Sequence, residues 1–256
     1  INLLLTSFLI GCTGGSSKGI VKTEPEPAPI PAPTVYSCSH SVLDYGQKGI
    51  VTAVARGTYS DVAFIPGTAS PTVAYSDAGT LTMKLNYWNG TSFITEIISG
   101  DGSATFVKLV FLSSGVPMVF WTQGTNVKMA LRSASLSTPI ATWSAGIIDS
   151  GTGPRALDVS VNPLDQVGVV FVTDTAVAGR TKFLYCDAPW AGPSSFQTMT
   201  STPYIENTNS IAATTSVGIS WCKSSDTSYF PAVSYSVTGA TKYGVCQNTL
   251  GNCLIN

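Results

Sequence analysis

Charge is what this chain has least of. Lys, Arg, Asp and Glu make up 11% of its 256 residues, against roughly 25% in ordinary soluble domains. Thirteen basic side chains nearly balance fourteen acidic ones. No basic surface exists to neutralise phosphates, which excludes nucleic acid as a partner. Histidine occurs once, at His40. A Ser-His-Asp relay would need it as the base, and no GxSxG turn accompanies it. A zinc site is excluded by the same poverty, because no CxxC pair exists either. No glycine-rich loop links a strand to a helix to cradle phosphate. No apolar run approaches the roughly 20 residues of a membrane-spanning helix. Glu24 and Glu26 fall in a proline-rich stretch, so Glu96 and Glu206 are the glutamates left for hydrolysis by paired carboxylates. No catalytic residue, metal or cofactor is expected.

What the chain does have begins at its start. An apolar run, Ile1 to Phe8, leads into Leu9-Ile10-Gly11-Cys12. Short apolar segments ending at small residues are processing signals rather than parts of a fold. This stretch resembles a bacterial lipoprotein signal with its lipobox. The resemblance implies that Cys12 carries diacylglycerol on its thiol and usually a third acyl chain on its freed amine. Two or more chains hold a protein stably on a bilayer where one does not. Such signals open with a positive region; here neither Met nor Lys or Arg precedes the run, so the N-terminus reads as clipped. Thr13 follows the cysteine, which in Gram-negative lipoproteins implies the outer membrane. The implied address is the bacterial cell envelope, with the membrane as partner through the N-terminal lipid.

Residues 1–11 are therefore set apart as signal. Residues 12–34 form a tether: GGSSKG is flexible, and EPEPAPIPAP favours an extended polyproline helix at ~3 Å per residue. The folded domain is expected over residues 35–256. Five cysteines remain there: Cys38, Cys186, Cys222, Cys246 and Cys253. Disulfides persist in an exported protein. Cys246 and Cys253 flank a turn-like QNTLGN, which suits a hairpin bridge; Cys186 and Cys222 are a possible second pair. Spacing alone does not fix connectivity. Cys38 is left over, either as a free thiol or with a partner beyond residue 256.

No segment keeps a helical period over ten residues; apolar residues alternate or form short solid runs. Val62–Ile65, 71–75 and 83–88 read as three strands. Asn89-Gly90 then supplies a hairpin turn, and 92–98 reads as a fourth strand. This unit recurs. The second strand reappears as PTVAY, PMVFW, VGVVF and PAVSY. The third carries a lysine each time: Lys84, Lys128, Lys182 and Lys242. The first recurs as Val62–Ile65, Val107–Phe111, Leu157–Val161 and Val217–Trp221. Aromatics mark the fourth at Phe93, Trp143 and Phe196. The expected class is all-β: a β-propeller of four-stranded antiparallel blades, about four of them. The last blade is unfinished and the ring incomplete, unless Ile50–Val54 completes it. A β-sandwich is the alternative, though it does not require the repeated order.

The pattern P-x-V-x-Y, then a lysine strand, then an aromatic, resembles bacterial sialidase-like and BNR-type propellers over about residues 60–256. Ser76-Asp77-Ala78-Gly79 has the Asp and Gly of their Asp-box but lacks its leading Ser. A sialidase activity would need an arginine cluster, and Arg56, Arg132, Arg155 and Arg180 share no ring position. Asp77, Asp174 and Asp226 fall in blade loops, where ligands bind and where Asp also simply builds turns. The repeated lysines either draw an anionic glycan or keep strand edges wet. Tyr75, Trp121, Phe171 and Tyr235 suit packing between blades. The expected function is a non-catalytic binding or adhesion module for a surface glycan or protein. A sialidase-like glycoside hydrolase or lyase is the alternative, and a structural envelope component the third reading.

Overall fold

A computed structural model describes residues 59–139, 141–150, 153–173, 180–186, 192–193, 204–206, 216–225, 228–237, 240–246 and 253–255. The chain divides into two compact units, 1–47 and 48–256, and every described residue belongs to the second. Cys12 with its lipobox (Leu9, Ile10, Gly11), the tether and Ile50–Val54 lie outside the described residues, as do Asp174 and Asp226.

Among the described residues, sixteen strands form four sheets of four. Blade 1 holds β1 (Ser60–Phe64), β2 (Pro71–Asp77), β3 (Thr82–Trp88) and β4 (Phe93–Ser99). Blade 2 holds β5 (Thr105–Phe111), β6 (Pro117–Gln123), β7 (Asn126–Arg132) and β8 (Trp143–Asp149). Blade 3 holds β9 (Pro154–Val161), β10 (Val167–Thr173), β11 (Arg180–Cys186) and β12 (Tyr204–Glu206). Blade 4 holds β13 (Val217–Ser225), β14 (Ser228–Val237), β15 (Ala240–Cys246) and β16 (Cys253–Ile255). Within every blade the strands pair antiparallel in chain order. The first strands line up in succession: β1 lies against β5, β5 against β9 and β9 against β13. This is the blade order of a β-propeller. No comparable contact joins β13 to β1 among the described residues.

The expected sequence repeat is the register of these sheets. The second strands of blades 1 to 3 open at an equivalent point and β14 three residues earlier, and in all four Val73, Val119, Val169 and Val233 pair across to Val62, Leu109, Val159 and Ile219 of the first strands. Blade 4 differs from expectation by gaining a fourth strand, β16, whose three residues are too few to show a pattern. Three apolar clusters sit between consecutive blades. Trp121, Leu109 and Val119 pack on Ala74, Leu85 and Tyr87 of blade 1. Phe171, Val159 and Val169 pack on Met118, Phe120 and Met129 of blade 2. Val233 and Trp221 pack on Val170, Phe183 and Tyr185 of blade 3. Trp121 and Phe171 are wholly buried and Tyr235 is 1% exposed, so these aromatics serve packing, as expected.

The possible pair Cys186 and Cys222 is not joined by a disulfide. Cys186 is buried in the cluster between blades 2 and 3, whereas Cys222 is exposed on blade 4. Cys246 and Cys253 stand directly opposite each other across β15 and β16; their side chains lie outside the described residues.

Candidate functional site

Two places gather polar groups. The first is a cleft of about 420 Å³ at one end of blades 1 and 2. Four turns wall it: Ile65–Ser70, Trp88–Gly90, Ser113–Gly115 and Ser135–Ser137. Each joins a first strand to a second or a third to a fourth, so all four emerge at the same end of their sheets. None of the lining residues is charged. Trp88 supplies the aromatic wall, braced edge-on by Phe93 with ring centroids 5.1 Å apart. The rest is largely hydroxyl and backbone.

Every wall is fixed from behind. In the first turn, Thr68 donates its amide and its hydroxyl to the Ile65 carbonyl, both at 3.0 Å. Asn89 Oδ1 accepts from the amides of Thr91 and Ser92 at 2.9 and 2.8 Å, and Gly90 takes φ 98°, a conformation glycine adopts without strain. Ser113 donates its amide and hydroxyl to the Asp165 carboxylate of blade 3 at 2.6 and 2.7 Å. The fourth turn is held by Arg132, which donates to the carbonyls of Ala134, Ser135 and Thr138. Walls held this way need little ordering when a ligand enters, which favours affinity.

Arg132 also carries a two-bond ion pair. Its side chain is fully buried and meets Glu96 of blade 1 through two bonds, Nε to Oε2 at 2.9 Å and Nη2 to Oε1 at 2.8 Å. Tyr87 Oη and Trp143 Nε1 donate to the same carboxylate, each at 3.0 Å. Burial pushes the Glu96 pKa up, but these bonds, led by Arg132, outweigh it and hold the group below the usual carboxylate range. Glu96 was one of two glutamates left for catalysis on composition. It is instead a lock between blades, with its oxygens saturated by donors.

The second place runs along the first strands. Register equates Asp61 of β1, Lys108 of β5, Asp158 of β9 and Gly218 of β13. Asp61 accepts from the Leu109 amide of the next blade at 2.8 Å. Asp158 accepts from the Ile219 amide at 2.9 Å and from Lys108 Nζ at 2.9 Å. Sequence reasoning missed this row, whose signal was an Asp or Lys just before the apolar end of the first strand in blades 1 to 3.

The loop aspartate that can be placed, Asp77, is a turn builder. Its Oδ1 accepts from the amides of Gly79 and Thr80, and its Oδ2 pairs with Lys84 at 2.5 Å. Lys84, then Thr80, draw its pKa down to about 2. Asp77 lies away from the cleft walls. Of the repeated lysines, Lys84, Lys128 and Lys182 are each engaged by a carboxylate rather than left as wet edge guards. Lys128 pairs with Asp101 at 3.0 Å and Lys182 with Asp149 at 2.7 Å. Each bond crosses from one blade to the one before.

No family model and no curated protein matches this chain. Among solved structures it is similar to an endo-arabinase of Bacteroides thetaiotaomicron at 12% identity. That match covers 78% of this chain and 80% of that one, with a TM-score of 0.44. An endo-1,4-β-xylanase of the same organism matches at 11% identity over 79% and 77%, TM-score 0.44. An exo-β-1,3-galactanase of Phanerochaete chrysosporium, solved with β-1,3-galactotriose, matches at 12% over 80% and 49%, TM-score 0.41. These likenesses assign no activity to the chain.

Proposed function

We propose that this protein is an exported, lipid-anchored propeller that recognises a neutral glycan in the cleft between its first two blades. The observation that carries this reading is the cleft's chemistry: one braced tryptophan, several hydroxyls and no charge. A sugar ring offers apolar C–H faces to an aromatic wall and hydroxyls to polar walls. An acidic sugar such as a sialic acid would want an arginine, and none lines the cleft. The lipobox at Leu9 to Cys12 supports the anchoring.

A second reading is glycoside hydrolysis, favoured by the carboxylates of Asp61 and Asp158 on the first strands. Hydrolysis needs two carboxyl groups facing one substrate bond. The backbone amides and Lys108 that engage them favour a packing role instead.

One experiment separates the two. A glycan array followed by calorimetry on the best neutral ligand is run beside a fluorogenic glycosidase panel. Trp88→Ala is expected to weaken binding roughly tenfold or more, the contribution of one aromatic stacking face, with an unchanged melting temperature. Turnover that disappears in Asp61→Asn and Asp158→Asn while Trp88→Ala still binds would replace the binding reading with the catalytic one.

A further inference from the structure

We propose that the outward face of blade 1 seats a further four-stranded blade of the same polypeptide, one that brings a carboxylate from the end of its fourth strand, or just past it, to Lys84. The repeat carries the argument. At each contact between blades, the later blade offers a receiving face built at the same positions. On the first strand these are Val62, Leu109 and Val159; on the second, Tyr75, Trp121 and Phe171. In blades 2 and 3 these positions are core, with Leu109 3% and Val159 8% exposed and both aromatics at 0%. In blade 1 the matching Val62 is 57% exposed and Tyr75 half-buried, and on the same side Phe64 is 61% and Ile97 64% exposed, against 38% for Ile147 at the position of Ile97 in blade 2. Cross-strand pairing puts Val62, Phe64 and Ile97 on one side of the sheet, together with Tyr75 and Lys84. Apolar surface of this kind, laid out in the pattern of a buried contact, marks an interface.

The lysine gives the charge complement. Lys128 makes two bonds, one to Gln123 of its own blade and one to Asp101 just past the fourth strand of the blade before. Lys84 makes the first, to Asp77, which occupies the position of Gln123. In blades 2 and 3 the second acceptor comes from the preceding blade, Asp101 or Asp149. The occupant of blade 1 therefore carries an acid at that place.

Blade 4 does not fit this description. Each described contact between blades has a polar link from the first strand of the earlier blade, through Asp61, Lys108 or Asp158. Blade 4 has Gly218 there, and Tyr243, at the position of the buried Leu85, Met129 and Phe183, is 59% exposed. Its free side reads as a second unfilled contact. A blade on the same polypeptide is favoured over a second molecule because tethering raises its effective concentration into the millimolar range.

The test is thiol labelling of the full-length protein, read by peptide mass so that native cysteines are resolved. Val62→Cys, and Ser60→Cys on the same face, are compared with Thr91→Cys in the exposed turn after β3. Both face positions are expected to react about 100-fold more slowly than the turn, as sites that open only by local unfolding do. The protection is expected to be independent of protein concentration, with a monomeric mass by light scattering. Equal rates at face and turn would overturn the proposal. Protection lost on dilution together with a dimeric mass would overturn it in favour of a second copy.

Discussion

Arg132 has five N–H donors, and all five are used: two on Glu96 and three on carbonyls of the loop it pins. A buried ion pair is a weak source of net stability, but breaking one strands its partner. Arg132→Met is expected to cost about 3–5 kcal/mol, measured by urea denaturation at neutral pH. Lysine would not rescue it, since an ammonium cannot reproduce the planar fork. The pH dependence follows from the sign of the shifts. Glu96 and Asp77 both sit below their ordinary values in the folded protein. Their stabilisation is therefore complete above the unfolded values and is lost as pH falls through the folded ones, from roughly pH 4 downward. In Arg132→Met the burial of Glu96 is no longer offset. Its folded value then rises, so the stability gap to the wild type is expected to narrow as the pH falls. None of this lock was legible in the sequence. Glu96 and Arg132 lie 36 positions apart, and nothing in either strand's pattern marks them as partners.

At the level of the strand, most of the architecture could be read. Aromatic and β-branched residues at fixed offsets named the second strands, and the lysines named the third. What the lysines do was not readable, because Asp101 and Asp149 belong to the blade before and look like ordinary turn residues. The shortest strands, β12 and β16, were lost for a simpler reason: three residues show no alternation. The register of β15 and β16 gives the remaining cysteine question a definite form. Cys246 and Cys253 are directly opposed, a separation that a disulfide spans in antiparallel sheets. In an oxidising compartment they are expected to be joined. Peptide mapping without reductant should recover them as one linked species, and two separately alkylated peptides would refute the bridge.

For the whole molecule, the blade order was legible and the cleft was not. Its walls come from four turns spread between residues 65 and 137, and most of their polar groups belong to serine, threonine and glycine, which are common in the other described loops as well. Only the folding of adjacent blades brings them to one end. The fate of the N-terminal segment is a question at this scale too. Cys12→Ser is expected to move the protein from the membrane fraction to the soluble one after cell lysis. Retention with the membranes would refute lipid anchoring.

The first-strand links have a consequence for how such a chain changes size. Asp61 and Asp158 grip an amide of the following blade, not a side chain. Any residue other than proline presents that group. At those two contacts the polar link makes no demand on the side chains of the incoming blade, so a copied or deleted blade would still find this grip there, whereas the Lys108–Asp158 contact does demand a matching side chain.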